Sequence, residues 1–140
     1  MKIQVTENIV KFMFGGNCTF VVMNGTEETT YKIYEKKTAD KSHIYWLYIK
    51  DGGTKKYCGY FKIMNGKLTY RHNDKNGIPN NDKRVSLILD VLHRRHNLPE
   101  NYAVYHVGRC AHCGRQLTDP KSMERGFGPD CWKLVRGFVG

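Results

Sequence analysis

The sequence predicts an α+β fold, with an antiparallel β-meander, one helix packed on it and a small cysteine-bearing module after them. Three observations carry this. Segments rich in β-branched and aromatic residues fill the first half, separated by Asn-Gly and Asp-Gly pairs that suit tight hairpin turns. Between residues 82 and 97 the apolar residues recur with a helical period. Three of the five cysteines fall between positions 110 and 131.

The segment TENIVKFMFGG predicts a short helix capped by Thr6 and ended by Gly15-Gly16. Strands are predicted over 18–23, 29–36, 43–50, 56–63 and 67–72, joined through Asn24-Gly25, Asp51-Gly52-Gly53 and Asn65-Gly66. In the second strand Tyr31 and Ile33 share one face, while Lys32, Tyr34 and Lys36 take the other. Separators this short require neighbouring strands to run antiparallel. A breaker-rich loop, 73–81, precedes the helix. There Val85, Ile88, Leu89 and Leu92 form an apolar stripe, Asn81 or Asp82 can cap the start, and His93, Arg94, Arg95 and His96 suit the negative C-terminal end. One more strand, 101–107, leads into the cysteines. The reading divides the chain into a β-rich α+β domain, 1–105, and a module, 106–140, packed on it.

Formal net charge is +10, which favours a polyanion such as DNA or RNA, or an acidic protein partner; the charge is spread along the chain, which weakens the case for one dedicated patch. No apolar run approaches the roughly 20 residues that span a bilayer. The opening residues MKIQVTENIVKFMF lack an apolar secretory core and cleavage site, so a cytoplasmic location is expected.

In a reducing compartment a cysteine cluster of this kind signals a metal more often than a disulfide framework. Cys18 and Cys58 lie in apolar stretches and read as buried bystanders. The run CAHCG (110–114) is a metal knuckle, two thiolates two residues apart with a glycine that lets the chain turn back. Downstream, GFGPDCW places Pro129 at a helix start and Cys131 in the first turn, where the positive helix end favours thiolate. Knuckle, hairpin and a helix supplying the last cysteine make a treble-clef-like zinc finger. A closed structural Zn²⁺ site needs a fourth ligand. His112, between the knuckle cysteines, should point away. His106, on the entering strand, is preferred; Asp119, Asp130 or water are the alternatives.

The stretches YHVGRCAHCGRQLTDPKS (105–122) and GFGPDC (126–131) resemble a small Cys-rich domain of unknown function found at the C-terminus of many tailed-phage and prophage proteins. Its recurring pattern is H-x-G-R-C-x-x-C-G-R-x-L-T-x-P-x-S followed by G-x-G-P-x-C. WLYIKDGG and KYCGYFKI are more loosely similar to the β-rich segment that precedes the motif in such proteins. The resemblance implies bound zinc, phage origin and the host-cell cytoplasm, places the pattern's histidine on His106, and implies no reaction.

No zincin helix, P-loop, nucleophile elbow or paired zinc-deaminase motif is present in the sequence, so an enzyme is not expected, nor a small-molecule substrate. The expected function is nucleic-acid binding without turnover, through Arg109, Arg115, Lys121 and Arg125 around the finger or Arg94 and Arg95 at the helix end. The alternative is a phage host-takeover or anti-defence inhibitor that binds a host defence or nucleic-acid-processing protein.

Overall fold

The computed structural model describes residues 2–36 and 43–135. Its strands are β1 (Ile3–Gln4), β2 (Asn17–Asn24), β3 (Glu27–Lys36), β4 (His43–Asp51), β5 (Thr54–Met64), β6 (Lys67–His72) and β7 (Tyr102–His106). Helices α1 (Ile9–Met13), α2 (Lys83–His93), α3 (Pro120–Arg125) and α4 (Pro129–Leu134) complete the secondary structure. The strands form one antiparallel sheet in the order β1-β7-β2-β3-β4-β5-β6.

The meander β2 to β6 follows the turn chemistry read from the sequence. β7 leaves it and enters between β1 and β2, pairing Phe20 with His106 and Val22 with Val104. The division expected at 105/106 therefore falls inside a strand of the sheet, and residues 136–140 of the expected module lie outside the described residues.

Alternation gives the sheet two unlike faces. One presents Phe20, Tyr31, Ile33, Leu47, Ile49 and Phe61 to the core, all buried together with α1 and α2 residues. Phe12 of α1 lies edge-on to Phe20 and to Phe127, drawing α1 and the cysteine module onto this same face. The start of α2 is tied down by charge and hydrogen bonds. Asp82 caps it by accepting from the Arg84 amide at 2.9 Å, and the Arg84 side chain bridges Asp82 and Asp51. The Arg84 hydrogen bond holds the Asp82 carboxyl down at about 2. Val85, Ile88 and Leu92 are buried as the stripe predicts, but Val91 is the fourth buried residue and Leu89 is half-buried against the core. The helix is thus rolled toward Val91. The cap of α1 is Asn8, which accepts from the Lys11 amide, and not Thr6.

Among the described residues, no helix covers the other sheet face. The register sets Tyr34, Trp46 and Tyr60 side by side across β3, β4 and β5, and Tyr48 beside Tyr57. A β-bulge makes this possible. The pairing passes from Leu47–Gly59 to Tyr48–Tyr57, leaving Cys58 as the extra residue, buried in the core. Tyr57 and Tyr60, three apart, would otherwise point to opposite faces. Only glycine fits at 59: φ is +154°, and a Cβ there would lie 2.3 Å from the Arg71 carbonyl oxygen. Among the described residues no helix is long and apolar enough to cross a membrane.

Candidate metal centre

The module begins where β7 ends. Chain reversal after His106 is closed by an antiparallel bridge between Arg109 and Gln116 and by the Leu117 amide donating to the Gly108 carbonyl at 2.8 Å. Inside this hairpin the Gly114 amide donates to the Cys110 carbonyl at 2.9 Å, and Gly114 takes φ +77°, the left-handed conformation the knuckle demands. α3 starts at Pro120 with Asp119 accepting from the Ser122 amide. α4 starts at Pro129 behind Gly128 and carries Cys131 in its first turn.

These elements bring the sulfurs of Cys110, Cys113 and Cys131 within 4.8 Å of one another, a group that could hold a metal ion. Thiolates each about 2.3 Å from a tetrahedral zinc stand roughly 3.8 Å apart, so the spacing fits such an ion. The electrostatics fit as well. Burial opposes ionisation of Cys110, yet its pKa is lowered, because the amides of Cys113, Gly128 and His112 and the Cys113 thiol direct hydrogen bonds at its sulfur; the Gly128 amide is 3.4 Å from it. Burial first, then the neighbouring thiols of Cys113 and Cys110, push Cys131 up to about 12. A nested thiolate crowded by two more sulfurs calls for a cation, which would let all three ionise.

His106 stands outside this group. It is fully buried, and both ring nitrogens serve the backbone: Nδ1 accepts from the Gly108 amide at 2.9 Å and Nε2 donates to the Met123 carbonyl. The structure does not bring His106, the expected fourth ligand, into the cysteine group, because its two ring nitrogens are taken up by the Gly108 amide and the Met123 carbonyl. β7 alternates, and His106 points to the core face with Val104, next to Phe12. Its role is to tie β7 to α3. Burial holds its pKa below 6.5, outweighing the Met123 hydrogen bond. His106→Ala is therefore expected to keep one metal per chain but to lose about 2–4 kcal/mol of stability, from the cavity and the two stranded backbone groups. Protonation opposes the native state here, so the histidine's contribution is complete above pH 6.5 and lost as the pH falls below it. The stability gap between wild type and variant should narrow on acidification, which denaturant titrations at pH 7.5 and pH 5.5 would measure.

His112 turns away from the sulfurs as expected, with Nδ1 2.6 Å from the Gly15 carbonyl. Asp119 spends its carboxylate on the α3 cap. Among the described residues no fourth donor lies within the cysteine group, and the three cysteines face an open pocket of about 200 Å³ bordered by Asp119, Ser122 and Asp130.

A family of unknown function, DUF6011, matches residues 103–136. The match begins in β7 and takes in all three clustered cysteines. No curated protein and no solved structure matches the chain.

Within the DUF6011 segment the expected binding cations have different surroundings. Arg125 and Lys11 both lie over the Trp132 ring, 4.8 and 3.5 Å from its centroid, and Trp132 is half-buried. Arg109 donates to the Gly114 carbonyl and braces the knuckle. Arg115 and Lys121 are exposed. Outside it, Arg94 pairs with Asp90 and Arg95 donates to the Leu92 carbonyl, so both help close the end of α2. The sequence reading missed α3, although Asp-Pro followed two residues on by Ser is a helix-start signal.

Proposed function

We propose that this chain is a basic, zinc-stapled protein that binds nucleic acid without turning it over. The observation that carries the reading is the surplus of positive charge. The net +10 already counts all 13 carboxylates against 23 lysines and arginines, and Glu27, Glu28, Asp51, Asp82 and Asp90 are among those carboxylates that already sit in ion pairs. Phosphates are the natural counterions for such a surface.

Zinc is the ion best suited to three thiolates in this order of knuckle, hairpin and helix start, a treble-clef-like plan. Its fourth ligand would be water, entering from the open pocket. Three thiolates, Zn²⁺ and a water sum to one negative charge, which Arg109, Arg115 and Lys133 lie close enough in sequence to offset. Cys110 and Cys113 on the hairpin after β7 and Cys131 on α4 would hold the ion, and the chemistry it would supply is cross-linking of those two elements. Arg109, Arg115, Lys121 and Arg125, with Arg94 and Arg95, would add phosphate contacts. The likeness to tailed-phage domains agrees with a phage-encoded protein acting in the host cytoplasm.

Fluorescence anisotropy with labelled single- and double-stranded oligonucleotides tests the reading. Affinity should fall roughly tenfold or more between 50 and 200 mM salt, since each neutralised phosphate adds about 0.7–0.9 to the log–log slope. No affinity for any oligonucleotide at 50 mM salt, together with salt-resistant capture of a host protein, would replace this reading by that of an inhibitor of a host defence factor.

A further inference from the structure

We propose that the helix-free face of the sheet is a binding surface for single-stranded nucleic acid, stacking bases on its aromatic rings and holding phosphates with its lysines. This rests on the nucleic-acid reading above and names the ligand class and the site.

The rings come first. Tyr34, Trp46 and Tyr60 are cross-strand neighbours, and Tyr48 pairs with Tyr57 in the adjoining row. Tyr57 lies 6.2 Å from Trp46 and 5.7 Å from Tyr48, which joins the two rows into one aromatic patch. None of these rings is buried, and Tyr34 is 43% exposed. A ring left on a strand surface with no helix over it has a face or edge to offer, and every base has a π-face to meet it.

The cations interleave with the rings. Lys32 lies between Thr19 and Tyr48 across the sheet, and Lys36, Lys62 and Arg71 flank the aromatic rows. The Lys32 and Lys36 ammonium groups stand 5.6 and 5.1 Å from the centroids of Tyr34 and Trp46. A base stacked on either ring would have a cation within reach of its phosphate. Beside the patch, Lys2, Lys32, Lys50 and Lys55 border a depression of about 580 Å³ whose one carboxylate, Glu28, is paired with Lys2. Burial and the Lys55 charge hold the Lys32 pKa below its ordinary value, a repulsion that an anion relieves. The charge is complementary to a polyanion, and the alternation of ring and cation matches the alternation of base and phosphate. A duplex hides its base faces, so the surface fits a single strand.

The test uses the full, metal-loaded chain with labelled single-stranded DNA, single-stranded RNA and duplex DNA of equal length at 100 mM salt. Trp46→Thr and Tyr57→Thr keep β-propensity and remove a ring; each should weaken single-strand binding roughly 5- to 150-fold. The double variant Lys32→Glu/Lys55→Glu should weaken it at least tenfold and flatten the salt dependence. The charge-matched Lys75→Glu/Lys83→Glu, on the β6–α2 loop and α2, should cost much less. The two single-stranded arms decide between DNA and RNA. If single strands bind but sheet-face and control variants lose affinity equally, the site is elsewhere and nucleic-acid binding stands. Equal affinity for the duplex overturns stacking. No binding in any arm overturns both readings, and the charge variants keep the test decisive if a ring variant does not fold.

Discussion

Cys113→Ser is expected to empty the metal site and loosen the module from Gly108 onward. Cys113 is the exposed member of the cluster and makes little core contact of its own, so the loss would come through the metal. Metal binding is folding free energy, amounting to about 10–16 kcal/mol for zinc in isolated finger peptides. Here part of the module is also held by Phe127, Leu117 and His106 in the core, so a loss of several kcal/mol is expected rather than the whole. Elemental analysis should fall from one metal per chain toward zero. Hydrogen exchange should speed up in the 108–117 hairpin and α4 while β3 to β5 stay protected. Chelation of the wild type should reproduce the pattern. Freshly purified protein without metal, or a serine variant that keeps a full equivalent, would sink the assignment.

Gly59→Ala should be nearly as damaging without touching the metal. The new methyl would meet backbone, the Arg71 carbonyl at 2.3 Å, and the Tyr70 hydroxyl at 2.7 Å. Backbone cannot swing aside as a side-chain end can, so β6 must shift or the bulge must open. With the strain of a side chain at φ +154° added, a loss of about 3–5 kcal/mol is expected in urea unfolding. Gly52→Ala is the control: φ is +64°, with nothing within 4 Å, so only the left-handed penalty of about 1 kcal/mol applies. Similar losses at the two positions would show that close packing at 59 is not what demands glycine.

Much of this architecture was legible in the sequence, because hairpin turns and alternation are local signals. The β2 to β6 meander, the start of α2 at Asp82, the buried Cys18 and Cys58, and the helix opening at Pro129 all follow from neighbours within a few residues. What was not legible depends on distant partners. His106 looked like a ligand by spacing, yet its occupation is decided by a carbonyl seventeen positions away, at Met123. The two-residue β1 has no pattern of its own and exists because β7 offers it an edge. The bulge at Cys58–Gly59 breaks alternation without changing composition, so the gathering of Tyr57 and Tyr60 on one face could not be read from periodicity.

The insertion of β7 between β1 and β2 also bears on how the chain is made. During synthesis β1 and one edge of β2 emerge early, but the strand that pairs with both arrives more than seventy residues later. Until then the nascent protein carries an unpaired edge of apolar residues, including Phe20 and Val22, open to chaperones or to a second copy. Sheet closure then coincides with delivery of the first cysteine of the cluster, four residues past the end of β7. Chains that stall before Tyr102 would be left with that edge exposed, which makes premature termination a route to aggregation rather than to a smaller working protein.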